Sequence, residues 1–169
     1  MVESARAFDR AWEDLAGEAA VGWDTETRPA FRPGESYLPS LVQAATANAV
    51  YIFPLAKMDF SRVVGGLFAE PTIVKAGISV ADDLKKLKQV FPFDESAVLD
   101  LGTVAKRHGL RQTGLRNLAA IFLGQRIAKG AKTTNWATPR LSAQQIGYAA
   151  TDAWACRALY LRFRELGML

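Results

Sequence analysis

The chain has 169 residues, half of them hydrophobic, which suits one domain over residues 1–169 with a core of its own; no internal repeat, low-complexity tract or linker interrupts it. No apolar run is long enough to span a membrane, and the opening Met-Val-Glu-Ser-Ala-Arg lacks the charged-then-apolar order of a secretory signal, so the expected location is cytoplasmic, without a membrane partner. A formal net charge of +4 is compatible with a polyanionic partner, although so modest an excess also occurs in proteins that never touch nucleic acid. Residues 4–16 carry Phe8, Trp12 and Leu15 at helical spacing and predict a first helix. Ala19-Ala20-Val21-Gly22-Trp23 is an apolar run typical of a buried strand, and it ends in Asp24-Thr25-Glu26 just before the breaker Arg28-Pro29. A loop rich in Pro and Gly over residues 28–39 follows. Residues 41–46 and 50–53 read as a hairpin around Ala47-Asn48, and a helix near 60–68 leads into a second apolar strand at 72–78. A helix through Leu84, Leu87 and Val90 comes next, then a short strand at Val98-Leu99, and the remainder reads as helical.

The last helix is expected from about Leu141-Ser142 to about Glu165, with Ser142 as N-cap and Gln145 at the capping-box position. His108 beside Gly109 reads as a helix C-cap, and Cys156, the one cysteine, as a small buried hydrophobe that can form no internal disulfide. Strands interleaved with helices imply an α/β fold built on a mixed sheet covered on both faces.

Three segments place acidic side chains where a divalent cation could be held. Asp24 and Glu26 alternate on one face of a strand end, where two carboxylates repel unless something cationic sits between them. Tyr148 and Asp152 stand four residues apart on one helical face, among small neighbours (Ala149, Ala150, Ala153) that let a helix press closely on a sheet. Asp82 and Asp83 open the helix after the second apolar strand, where the helix dipole alone favours acids, and spacing does not choose between them. Hard oxygen ligands of this kind suit Mg²⁺ or Mn²⁺.

Those segments, with Asp24-Thr25-Glu26-Thr27-Arg28-Pro29-Ala30-Phe31, Leu41-Val42-Gln43, Gly114-Leu115-Arg116-Asn117-Leu118, Asn135-Trp136 and Leu141-Ser142, resemble the DEDD superfamily of 3'-5' exonucleases on a ribonuclease H-like fold. The Tyr148-x-x-x-Asp152 spacing places the resemblance in the tyrosine-bearing branch, nearest to Werner-type exonuclease domains and their small bacterial relatives, with ribonuclease D more distant. Aligning Gly77 with the glycine that opens the family's second motif makes Asp83, not Asp82, the match. Ala44-Ala45 departs from the leucine the family often has after the glutamine, at a position that reads as core packing.

The resemblance implies an enzyme that hydrolyses phosphodiester bonds from the 3' end of DNA or RNA. Two divalent ions, Mg²⁺ or Mn²⁺, would be held by Asp24, Glu26, Asp83 and Asp152. Tyr148 would orient the attacking water, since a phenol of pKa about 10 is a poor base unaided. The expected partner is single-stranded or 3'-recessed nucleic acid. Candidate strand contacts are Arg28, beside Glu26, and the polar loop carrying Arg126, Lys129 and Lys132 that ends in Asn135 and the aromatic Trp136. Two rivals stand beside this reading: a binding module that has lost its chemistry, and an endonuclease on the same core. The oligomeric state is left open.

Overall fold

The computed structural model describes residues 1–128, 130 and 134–169. Its centre is a five-stranded sheet in the order β3-β2-β1-β4-β5. Strand β1 (Ala20–Thr27) pairs antiparallel with β2 (Pro39–Ala45), which pairs antiparallel with β3 (Val50–Pro54); β4 (Val74–Gly77) and β5 (Val98–Asp100) continue parallel to β1 on its other side. The hairpin expected at 41–53 is present, but β2 starts two residues earlier and a bulge falls between Glu26 and Thr27.

Alternation along β1 sends its side chains to two different layers. Val21 and Trp23 join one core with Val42, Ala44 and Phe53, covered by α1 (Ala5–Ala16), the helical stretch Ser61–Gly65 with α2 (Gly66–Ala69), and α3 (Ala81–Val90). Within it Phe68 packs edge-on to Trp23 and Phe60 to Phe53. On the opposite face, α4 (Leu101–Arg107), α5 (Leu115–Leu118) and α6 (Ala143–Glu165) bury Leu101, Leu118, Leu159 and Phe163 against Ala20 and Ala76. Helices therefore cover both faces of a mixed sheet, the ribonuclease H-like arrangement.

Local chemistry sets the helix ends. Ser4 caps α1 by accepting the Ala7 N–H, and Asp100 caps α4 by accepting from Gly102 and Thr103. Ser142 and Gln145 form the expected capping box at the start of α6. His108 ends α4, and Gly109 takes the left-handed conformation (φ +83°) just beyond it. The expected helical remainder is interrupted in two places, the second taking in the polar loop already expected before Asn135-Trp136. Residues 109–114 and the described residues from 124 to 142 form no helix; Gly109, Gly114, Gly124 and Pro139 supply the breaks.

Gly22 decides how α6 sits. A Cβ there would stand 2.1 Å from the Ala153 carbonyl oxygen and 2.3 Å from the Arg157 backbone nitrogen, so the helix backbone rests directly on the strand. Arg157 ties the crossing down, donating from Nε to the Ala20 carbonyl (3.1 Å) and pairing with Glu18 (2.9 Å). Among the described residues no helix is long and apolar enough to cross a membrane.

Candidate active site

The carboxyl ends of β1 and β4 open into a cavity of about 1450 Å³, the place where ligands settle in sheets of this kind. The close crossing at Gly22 brings α6 over the end of β1. There carboxylate oxygens of Asp24, Glu26 and Asp152 lie within 4.8 Å of one another. Glu26 and Asp152 are buried and Asp24 half-buried. An all-oxygen donor set this closely spaced suits a hard divalent ion, so the residues present fit the metal that the sequence implies.

Asp83 reaches the same cavity from the other layer. It stands in the first turn of α3, half-buried, and accepts a hydrogen bond from the Thr25 hydroxyl at 2.6 Å. Burial raises its carboxyl pKa, while the Thr25 hydrogen bond and Lys86 pull it down. Asp82, its neighbour, is exposed and does not line the cavity. Of the two neighbours that spacing did not separate, Asp83 is the one that lines the cavity.

Tyr148 also lines the cavity, and its phenol is pushed well above its ordinary pKa, first by burial and then by Asp152, Glu26 and Asp24, with a hydrogen bond to Asp152 contributing. Held protonated by that environment, its hydroxyl is suited to orienting a water. Cys156 lies at the cavity floor; burial, and then Asp24, Asp152 and Asp100, raise its thiol well above the usual value, so it is an inert packing group.

The expected strand contacts fare differently. Trp136 is a correction: it is 1% exposed, packed with Leu41, Ile52 and Ala149 and set 6.0 Å from the Tyr148 ring, so its indole cannot stack on a base and instead buttresses the tyrosine. Asn135 is exposed, but its Oδ1 accepts the Ala137 N–H and its carbonyl accepts from Gln145 Nε2. Arg28 is exposed and lies over the Tyr37 ring at 4.8 Å, outside the cavity lining. Lys132 and Lys129 lie outside the described residues.

Sequence reasoning passed over residues that the fold brings to the site. Arg116 and Asn117 of the helical turn at α5 line the cavity that the carboxylates line, beside Arg126, which the sequence had already marked as a candidate strand contact. Arg116 and Asn117 stood within a quoted motif, but nothing in their spacing marked them as cavity residues. Thr25, between two acidic residues on a strand, carried no signal of its own, because its partner Asp83 is 58 positions away.

A family model described as 3'-5' exonuclease matches residues 1–167. Ribonuclease D of Haemophilus influenzae is 36% identical over 147 residues, covering 85% of this chain and 36% of that protein. The mouse bifunctional 3'-5' exonuclease/ATP-dependent helicase WRN is 29% identical over 159 residues, covering 90% of this chain and 11% of that protein. Among solved structures, the Nibbler EXO domain of Aedes aegypti superposes with a TM-score of 0.86 at 23% identity, covering 98% of this chain and 87% of that one, which speaks for the fold. The chain spans about a third of the ribonuclease D and about a tenth of the helicase. With the family model matched over nearly its whole length, the chain belongs to the 3'-5' exonuclease domain family.

Proposed function

We propose that this chain is a single-domain, metal-dependent 3'-5' exonuclease that removes nucleotides from single-stranded or 3'-recessed DNA or RNA in the cytoplasm. The observation that carries the reading is the convergence of Asp24, Glu26 and Asp152 within 4.8 Å, beside a cavity that Asp83 and Tyr148 share. Two divalent ions, Mg²⁺ or Mn²⁺, when bound would supply Lewis-acid stabilisation of the scissile phosphate and a water acidic enough to attack it.

The protein's own part is positional. Asp24, Glu26 and Asp152 present oxygens from one face of β1 and from α6, and Asp83 adds one from α3, fixed by Thr25. Tyr148, neutral and held beside Asp152, orients the attacking water through its hydroxyl. In this reading Glu26, the most buried acidic residue of β1, accepts a hydrogen bond from the terminal 3' hydroxyl, which would favour an end over an internal bond. Arg116 and Arg126 give the cavity positive charge to meet the phosphates of the incoming strand, offsetting the acidic cluster.

The test is a time course on matched 5'-labelled single-stranded DNA, RNA and recessed duplex, with Mn²⁺ or with EDTA and with Asp24→Ala alongside. A metal-dependent ladder shortening from the 3' end, absent in the variant, is expected. Binding without cleavage on every substrate would favour the non-catalytic module, and cleavage of a circular strand the endonuclease.

A further inference from the structure

Gln43 is fully buried in β2, yet neither its Nε2 nor its Oε1 meets a protein partner. A carboxamide with both ends unpaired in a packed interior is among the costlier side chains a core can hold, and an apolar residue of the same volume would fill the space without that cost. Its place explains why it is there. Gln43 is the direct cross-strand partner of Asp24 across the β1–β2 ladder, so the two side chains leave the sheet on the same face with Cβ atoms roughly 5 Å apart. That face is the one α6 covers, and it bears Glu26 and, from α6, Asp152. Gln43 is one methylene longer than Asp24, so its amide end reaches the level of the Asp24 carboxylate. Being fully buried, it cannot touch a substrate in the cavity. Asp24 Oδ1 already accepts the Thr25 backbone N–H at 2.9 Å, which anchors the carboxylate at one corner.

We propose that Gln43 is a positioning residue for the metal site: its carboxamide N–H donates to the Asp24 carboxylate as that group turns toward a cation, fixing which oxygen faces the ion. This rests on the metal reading of Asp24, Glu26 and Asp152 given above. Carboxylates that hold metals are themselves held by hydrogen bonds from behind, and losing such a partner typically weakens metal affinity or activity by about 10–100-fold.

The test measures Mn²⁺ affinity by electron paramagnetic resonance on the nucleic-acid-free protein, together with thermal stability, for the unaltered chain, Gln43→Met, Gln43→Leu and Asp24→Asn. The expected signature is an opposed pair of effects. Gln43→Met weakens Mn²⁺ binding by about 10–100-fold while its melting temperature is equal or higher, because an unpaired buried amide has been removed. A purely structural glutamine would give the reverse, a lower melting temperature with Mn²⁺ affinity within twofold of the unaltered chain, and that result overturns the proposal. Gln43→Leu repeats the comparison with a different shape. Should neither variant fold, the side-chain amide resonance of Gln43 in the ¹⁵N-labelled unaltered protein decides: it shifts on Mg²⁺ titration, and an unmoved resonance overturns the assignment. If the unaltered chain binds no Mn²⁺, or Asp24→Asn binds it equally well, the metal reading itself fails and this inference with it; unchanged affinity in the Gln43 variants alone overturns only the role of Gln43.

Discussion

Gly22→Ala adds one methyl group at the point where α6 crosses β1. The new Cβ would sit 2.1 Å from the Ala153 carbonyl oxygen and 2.3 Å from the Arg157 backbone nitrogen, both of them helix backbone that no rotamer change can move aside. Real Cβ contacts essentially never fall under 3.0 Å, so the helix must retreat from the strand by about 1 Å. Asp152 rides on that helix, one residue before Ala153, and its oxygen lies within 4.8 Å of those on Asp24 and Glu26, a spacing that the same retreat would widen. A displacement of about 1 Å at a reacting centre costs on the order of 100-fold in rate. Overpacking a well-filled interior costs about 1–3 kcal/mol, which in a domain of this size lowers the melting temperature by roughly 2–12 °C. The assay is exonuclease turnover per folded molecule, at a temperature where circular dichroism shows the variant fully folded, beside a melting curve. Unchanged melting and unchanged turnover would refute the direct seating of α6 on β1. Lost stability with full turnover would refute the narrower claim that this crossing sets the spacing of the carboxylates.

Other perturbations separate the roles of individual residues. Thr25→Val deletes the 2.6 Å hydrogen bond to Asp83 without touching the β1 carboxylates, and should lower turnover by about 10–100-fold while the fold survives; single-turnover rates at saturating Mn²⁺ check this. Tyr148→Phe should keep its packing on Trp136 and its Mn²⁺ affinity but lose about 100-fold in rate, so a variant that turns over normally would remove the water-orienting role. Asp83→Ala should fall much further in turnover than Asp82→Ala, because only Asp83 lines the cavity. Lys75, buried in β4 with its ammonium donating to the Glu70 carbonyl, has its pKa lowered to about 8, chiefly by burial, against 10.5 when unfolded. The unfolded chain binds more protons between those values, so stability rises with pH from about 8 to 10.5, and below 8 the burial penalty, at most about 3 kcal/mol, is complete. Lys75→Met should therefore melt higher than the unaltered chain at pH 7, with the gap closing above pH 10; a gap independent of pH would contradict the lowered pKa.

Much of the architecture was legible because local rules wrote it. The α1 spacing of Phe8, Trp12 and Leu15, the capping box at Ser142 and Gln145, and the apolar run into Asp24 each carry their own structural cause within a few residues. Trp136 was misread for the opposite reason. An aromatic closing a polar, lysine-bearing loop has no local mark that distinguishes exposure from burial, and only the tertiary pocket made by Leu41, Ile52 and Ala149 settles it. Apart from the polar loop before Asn135, the stretch after Val98-Leu99 was read as helical, whereas glycines and a proline break it into short elements that carry Arg116, Asn117 and Arg126 to the cavity. Gln43 was visible as part of a motif, but its lack of partners is a property of the packed interior and of no sequence window.

The two faces of β1 explain how four acidic residues from three parts of the chain reach one place. A strand offers alternate residues to opposite sides, so a single Asp-Thr-Glu triplet can engage both layers at once. Asp24 and Glu26 meet Asp152 on the α6 side, while Thr25, pointing into the other core, takes hold of Asp83 at the start of α3. Thr25 is thus the one side chain of the triplet that no metal would need to touch, and it links the separately packed α3 layer to the site. An alanine or valine at position 25 would preserve β1, its pairing with β2 and the three-carboxylate cluster, yet leave Asp83 held only by its own helix turn. If geometry across the sheet matters as argued, the loss at position 25 should be much reduced in a chain that already carries Asp83→Ala, because the two residues act as one unit and their effects cannot add. Additive losses in that double variant would show that Thr25 acts on something other than Asp83.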